Sequence, residues 1–159
     1  MSFLGTTWAD LFTVAGVVIS VWTLKVATKA KEAAEAAKAA ARRQNLTEDL
    51  QDAQSKVEHL GNHLARQNWE VVLLLAQQAT TACSQVLRRW GTDTLSRQSR
   101  DNILKSQAHV VAISNVAVRA PAVAPTAQDL RRLANTQQRA FQILSGELAE
   151  SQRKLEGSP

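Results

Sequence analysis

The sequence predicts an all-α, homo-oligomeric protein whose N-terminal transmembrane helix continues into a helical stalk or coiled coil and then into a C-terminal cytosolic helical bundle. Ala, Leu, Gln, Arg, Lys and Glu dominate the chain and favour helices, while only six Gly and three Pro interrupt it. Apolar residues recur at alternating steps of three and four, which is the period of a helix, and no alternating strand pattern occurs. One long apolar segment near the N terminus predicts the membrane helix.

That apolar segment lies within residues 1–26. Asp10 is the only charged side chain from Phe3 to Leu24. A helix over these 22 residues rises about 33 Å, which matches a hydrocarbon core of about 30 Å. No Lys or Arg precedes the segment, which argues against a cleaved secretory signal. Lysines follow at positions 25, 29 and 31, and the positive-inside rule then places the C-terminal domain in the cytoplasm and the N terminus outside.

Small and polar residues share one face of the predicted membrane helix. The face includes Asp10, Thr13, Gly16, Ser20 and Thr23, at steps of three and four. Because lipid offers no hydrogen-bond partner, such a face is expected to contact other copies of the chain or a water-filled space. Two interpretations remain open: a close-packed oligomer interface, or a pore lined by these five residues in a homo-oligomer, for which we expect a tetramer.

Residues 27–68 are predicted to form an Ala-rich stalk and a coiled coil. The stretch KVATKAKEAAEAAKAAARRQ contains no helix breaker, so the first helix should continue through it, and Asn45 is acceptable either as a new N-cap or inside the helix. A heptad seam follows and indicates packing on a sister chain or on another helix of the same chain. It comprises Leu46, Leu50, Ala53, Val57, Leu60, Leu64, Gln67, Val71 and Leu74.

Residues 69–159 are predicted to form the cytosolic bundle. A mostly apolar helix should end at Gly91, and a third helix is expected from about Leu95 to Val118. The apolar set of this third helix includes Ile103, Leu104, Val110, Val111, Ile113 and Val116. The segment APAVAP predicts a loop, after which Thr126 should cap the final helix, with Asp129 in capping-box spacing.

The sequence contains no motif that predicts an enzyme. No nucleophile elbow, phosphate-binding loop, dinucleotide fingerprint or zinc-protease motif is present, and no cofactor is expected. His59 and His63 lie four residues apart, but a third ligand is missing nearby, so no metal site is predicted. Cys83, the only cysteine, lies in an apolar helix and is expected to be a small core residue.

Positive charge gathers around the turn between the second and third predicted helices. From Arg88 to Glu156 the chain holds eleven bases against six acids, so this part could attract a polyanion. Arginine forks pair with phosphates and tryptophan stacks on bases, which predicts nucleotide binding at the turn; a hydrated turn without a ligand is the alternative. The predicted nucleotide-binding residues are Arg88, Arg89, Trp90, Arg97, Arg100 and Lys105.

The order of a short apolar segment, WADLFTVAGVVISVWTLK, an Ala-rich stalk, KAKEAAEAAKAAARRQ, and a basic helical domain resembles the Hailong membrane effectors of bacterial anti-phage defence. The resemblance covers the whole chain in outline and transfers no ligand residue. It implies a homo-oligomeric channel in the bacterial inner membrane, gated by oligodeoxyadenylate that a partner nucleotidyltransferase would produce.

Together, these patterns and the resemblance predict an oligomeric membrane effector. Its ion-conducting pore would be controlled by a nucleotide or oligonucleotide bound to the cytosolic helical domain. The alternative is a membrane-tethered coiled-coil adaptor that recruits a protein partner and conducts nothing. The two differ in whether an unrelated membrane span could replace residues 3–24 without loss of function.

Overall fold

The computed structural model of the chain describes the backbone of residues 4–92 and 94–156 and the side chains of residues 20, 22–92 and 94–156. Within these ranges the chain forms four helices, α1 (Leu4–Ala65), α2 (Trp69–Arg89), α3 (Arg97–Arg119) and α4 (Ala127–Glu156). No strand occurs in these described ranges, and the predicted all-α class is confirmed.

The chain divides into two compact units, Met1–Arg42 and Arg43–Pro159. In the first unit, every described side chain is exposed, including the large apolar Trp22 and Leu24. The helix in this unit is rich in Ala, Lys and Glu. Lys31 and Glu35 lie one turn apart on its surface and form an ion pair at 4.0 Å. High intrinsic helix propensity therefore accounts for this part of α1.

No helix in the described part of the chain combines the length and apolar character needed to cross a membrane. The predicted transmembrane assignment of residues 1–26, the ion channel and the inner-membrane localisation are therefore wrong. A spanning helix needs about 20 mostly apolar residues. The run from Leu11 to Leu24 would rise only about 21 Å, and charged residues bound it, Asp10 before it and Lys25 after it.

The predicted pore-lining residues lie in this same segment. The side chains of Asp10, Thr13 and Gly16 fall outside the described residues, whereas Ser20 and Thr23 are exposed on α1. Because the channel assignment is wrong, a pore-lining role is not retained for any of the five.

The second unit is an antiparallel four-helix bundle built from the C-terminal part of α1 with α2, α3 and α4. Rising residue numbers on α1 meet falling numbers on α4, since Thr47 bonds Ser151 at 2.8 Å and Gln54 donates to Ser145 at 2.9 Å. The same relation holds between α2 and α3, where Arg100 donates to the Leu87 backbone oxygen at 3.4 Å and Gln107 donates to the Ser84 hydroxyl at 2.8 Å. Short connections between antiparallel neighbours are typical of such bundles.

The predicted heptad seam forms one wall of the bundle core. Leu46, Leu50, Ala53, Val57, Leu60 and Leu64 are each no more than 6% exposed. They belong to one apolar cluster with residues of the other three helices, so helices of the same chain cover this seam. The cluster also includes Val72, Val86, Ile103, Ile113 and Leu144.

The seam ends earlier than the sequence predicted. Helix α1 stops at Ala65, Gln67 adopts a φ of 54°, and the Asn68 side chain caps α2 by accepting from the Val71 amide. The predicted continuation to Leu74 is therefore wrong, and Leu74 is 52% exposed. A left-handed residue followed by an N-cap reverses the chain without glycine or proline.

Side-chain caps define the starts of α3 and α4. The Ser96 hydroxyl accepts from the Ser99 amide at 3.0 Å and begins α3 slightly later than predicted. The predicted capping box of α4 is confirmed: the Asp129 amide donates to the Thr126 hydroxyl at 3.2 Å, and the Thr126 amide donates to the Asp129 carboxylate at 3.0 Å. These bonds fix where the connecting loops end.

Candidate functional site

A carboxylate on α1 joins the basic turn to the rest of the bundle. Both Asp49 oxygens accept from Arg89 Nη1 at 3.2 Å, and Oδ2 also accepts from Trp90 Nε1 at 2.8 Å. The Trp90 residue is only 6% exposed, and the Arg89 guanidinium lies 5.3 Å from the centre of its ring. Asp49 therefore anchors the C-terminal end of α2 against α1 through one charged and one indole donor.

Arg100 reaches the same end of α2 from α3. Its Nη1 donates to the backbone oxygens of Leu87 at 3.4 Å and of Trp90 at 3.1 Å. Carbonyl groups in the last turn of a helix lack partners within the helix and carry partial negative charge. Arg100 thus satisfies the end of α2 and holds α3 beside it.

An open cavity of 430 Å³ lies next to this cluster and is lined by Asp49, Gln85, Arg88 and Arg89. Arg88 is exposed, and no hydrogen bond or ion pair of its side chain occurs among the described residues. Arg89 is partly committed to Asp49, with 57% of its side chain exposed. The cavity therefore offers two guanidinium groups and one amide beside a single carboxylate, which suits a small anion with several acceptor oxygens.

The structure separates the six predicted nucleotide-binding residues into three groups. Arg88 and Arg89 line the cavity. Arg97 and Lys105 are exposed on α3 outside its lining. Trp90 and Arg100 are engaged within the bundle. The Trp90 ring is buried and therefore not accessible for stacking on a base.

No pattern in the sequence singles out Asp49, although it lies at the centre of the cluster. It lies 40 residues from Arg89 along the chain, so no local motif links the two. The one available signal was its position directly before the seam residue Leu50. That position places Asp49 at the rim of a buried stripe, where a polar side chain can reach a neighbouring helix.

A second surface, the α3 face, comprises Leu104, Ala108, Val111, Asn115 and Val118. These residues follow steps of four and three and all are exposed; Leu104 is 50%, Val111 39% and Val118 62% exposed. The sequence placed Leu104 and Val111 in one apolar set with Ile103 and Val110, but only the latter two are fully buried. Helix α3 thus carries two apolar seams, one in the core and one on the surface.

A groove of 660 Å³ adjoins the C-terminal end of the α3 face. Its lining is mostly apolar and comprises Val116, Val118, Arg119, Ala122, Val123, Ala124, Pro125, Thr126 and Asp129. Val123 is 73% exposed at this position. Hydrogen bonds from Thr126 lower the pKa of Asp129, so this carboxylate is held by the capping box, while Arg119 is the basic group of the groove.

The remaining chemically reactive candidates lie apart from these surfaces. Burial in the core raises the pKa of the Cys83 thiol to about 11, which keeps it protonated and unreactive near neutral pH. Within the described residues, no group of three or more His, Cys, Asp or Glu side chains is placed to hold a metal ion.

No family model, curated protein or solved structure matches the chain. What the two surfaces bind is therefore inferred from their own side chains. The cavity at the basic turn presents guanidinium donors beside one carboxylate, and the α3 face presents an apolar heptad seam on the outside of a folded bundle. The first suits an anion, and the second suits another protein.

Proposed function

We propose that the helical bundle binds a phosphate-bearing ligand, a nucleotide or oligonucleotide, in the cavity beside Arg88 and Arg89. The observation that carries this proposal is the 430 Å³ cavity lined by these two arginines and Gln85. Its volume lies within the range of about 300–1,000 Å³ common for small-molecule sites. Arginine presents a planar fork of donors that matches two phosphate oxygens at once, and Arg88 is exposed for that contact.

The distribution of charge favours an oligonucleotide over a single nucleotide. Arg97 and Lys105 are exposed on α3 but do not line the cavity, so a longer anion can use them while its end occupies the cavity. Each neutralised phosphate releases counterions and makes the affinity fall with added salt. We therefore expect binding that weakens steeply as the salt concentration rises.

Asp49 competes with the ligand. Its carboxylate accepts from Arg89 in two contacts of 3.2 Å, so an incoming phosphate must displace the carboxylate from this guanidinium. Neutralising Asp49 removes the competing charge and leaves Arg89 available. Replacement by Asn keeps an oxygen that can still accept from the Trp90 indole, 2.8 Å away in the native protein.

Fluorescence anisotropy with a short fluorescein-labelled oligodeoxyadenylate tests the site. The resemblance to the Hailong effectors makes this the first probe, and an oligodeoxythymidylate of equal length reports base preference. Arg88→Glu is expected to raise Kd at least about tenfold, which corresponds to roughly 1.4 kcal/mol. Arg139→Glu makes the same charge change at an exposed position on α4 and is the matched control.

Two results would contradict this assignment. One is an equal loss of affinity in Arg88→Glu and Arg139→Glu, which would mean that only net charge matters. The other is a weaker or unchanged affinity in Asp49→Asn, because release of Arg89 should tighten binding by about threefold or more, in line with roughly 0.7 kcal/mol for a partly exposed pair. Circular dichroism of each variant checks that the bundle is intact.

Recruitment of a protein partner is a second candidate function. The exposed apolar seam of the α3 face favours it, since folded monomers rarely leave a regular apolar stripe uncovered without a binding role. This candidate keeps the adaptor role predicted from the sequence and drops the membrane tether. It is compatible with ligand binding at the basic turn, because no α3-face residue lines that cavity.

A further inference from the structure

The α3 face has the residue spacing of a coiled-coil seam although it lies on the surface. Leu104, Val111 and Val118 fall one heptad apart, with Ala108 and Asn115 at the intervening positions. In a two-helix coiled coil such a stripe inserts into the holes of a facing helix. The buried seam of the same helix, which includes Ile103, Val110 and Ile113 at 0% exposure, already serves the core, so this second stripe is additional.

Building on the proposed role of the α3 face in partner recruitment, we infer from this geometry that the face docks an amphipathic helix of a partner protein, whose apolar seam is flanked by acidic residues. The residues from Leu104 to Val118 extend about 21 Å along the helix, which is long enough for two heptads of contact. Asn115 places one polar group within the stripe. A buried Asn in a seam selects a partner with a matching polar residue and fixes the register.

The rim of the α3 face determines the charge of the partner. Lys105 and Arg119 each follow a seam residue directly, so both lie on the same edge of the stripe, two heptads apart. Arg97 is also exposed, and Asp101 is the only exposed acid on α3. Flanking charges of this kind set partner choice in coiled coils, so acidic flanks are favoured and basic flanks are repelled.

The same rim argues against a second copy of this chain as the occupant. An antiparallel second α3 face would bring its own Lys105 and Arg119 along the same edge, whereas a parallel one would offer that edge only the uncharged Gln107 and Ser114. Asp101 is the only exposed acid on either helix. Like charges brought together at an interface disfavour that pairing. The groove of 660 Å³ at the end of the stripe adds an apolar place for the end of the partner helix, beside Val118 and Arg119.

A pair of synthetic helical peptides tests this docking site on the full chain. Both carry Leu at the seam positions and one Asn to face Asn115; one has Glu at the flanking positions and the other has Lys there. Isothermal titration calorimetry should show the Glu peptide binding at least about tenfold more tightly than the Lys peptide at low salt. Amide chemical-shift changes should map to residues 104–119.

Variants separate the apolar and the charged contributions. Leu104→Ser with Val118→Ser should raise Kd for the Glu peptide at least about tenfold, because both side chains lie in the proposed seam and are exposed in the free protein. Lys105→Glu with Arg119→Glu should reverse the preference in favour of the Lys peptide. Gln142→Glu, an exposed charge change on α4, is the control and should alter neither.

Three outcomes would overturn the docking site: equal affinity for both peptides, shifts that map away from α3, or a dimer in light scattering that the two Ser substitutions dissociate. The last would assign the face to a second copy. Binding of the labelled oligodeoxyadenylate should be unchanged in the Ser variant, because the two substituted residues lie outside the basic cavity. The Ser variant therefore tests the docking site alone, whereas Lys105→Glu also changes a residue that a longer anion is expected to contact.

Discussion

The bond between Asp49 and the Trp90 indole should contribute more to stability than the neighbouring ion pair. Trp90 is 6% exposed, and its indole donates to the carboxylate at 2.8 Å. A hydrogen bond to a charged group contributes about 1.5–3 kcal/mol, and removal of the acceptor leaves a buried donor without a partner. Asp49→Ala is therefore expected to lower the free energy of unfolding by about 2–3 kcal/mol.

The ion pair itself should contribute much less. The Arg89 side chain is 57% exposed, so solvent screens its attraction to Asp49. Arg89→Ala is expected to cost less than about 1 kcal/mol. Trp90→Phe removes the donor together with the pyrrole part of the indole, so its expected cost of about 2–3 kcal/mol combines the lost hydrogen bond with lost packing.

Urea unfolding of the full chain, followed by circular dichroism, measures these differences. A double-mutant cycle of Asp49→Ala and Trp90→Phe should give a coupling energy of about 1.5 kcal/mol, because both substitutions remove the same bond. If the coupling is below about 0.5 kcal/mol, or if Arg89→Ala costs as much as Asp49→Ala, the indole bond does not hold α1 to α2 as argued.

Three further predictions concern the core and a helix cap. A Cβ at Gly61 would lie 2.7 Å from Gln137 Nε2 and clash with it. In urea unfolding, Gly61→Ala should therefore raise the free energy of unfolding by about 1 kcal/mol only when Gln137 is also replaced by Ala, because the higher helix propensity of Ala then acts without the clash. Because burial raises the pKa of Cys83 from 9.0 to about 11, unfolding releases a proton between these values; stability should fall by up to about 2–3 kcal/mol as pH rises through this window, and Cys83→Ala should remove that slope. Thr126→Ala removes the acceptor of the Asp129 amide and should cost about 1 kcal/mol in thermal unfolding, whereas a change below a few tenths would contradict the cap.

Periodic and local signals were enough to predict the framework of the bundle. The seam from Leu46 to Leu64 is buried as its heptad spacing indicated, because a helix that buries one stripe must repeat apolar residues at that spacing. The box of Thr126 and Asp129 was equally visible, since its two members lie three residues apart and bond each other's backbone. Both signals depend only on neighbours along the chain.

Contacts between distant residues could not be predicted in this way. Asp49 meets Arg89 and Trp90 only after α1 and α2 fold back on each other, and nothing in the local sequence of either helix specifies that register. The reversal itself uses Gln67 at a φ of 54°, without the Gly or Pro that usually marks a turn. The basic turn was therefore located by composition, while the roles of Trp90 and Arg100 within it depended on the packing.

Helix α3 shows a limit of periodicity that bears directly on function. Leu104 and Val111 directly follow Ile103 and Val110, so two apolar stripes run side by side on one helix, and the sequence counts all four residues as core. A four-helix bundle has room to cover only one of them: Ile103 and Val110 are 0% exposed, while Leu104 remains 50% exposed. An apolar heptad beyond what the fold can bury brings no gain in stability to the free chain and favours association instead. The surplus stripe, rather than any motif, is thus the feature of α3 that most directly indicates a partner.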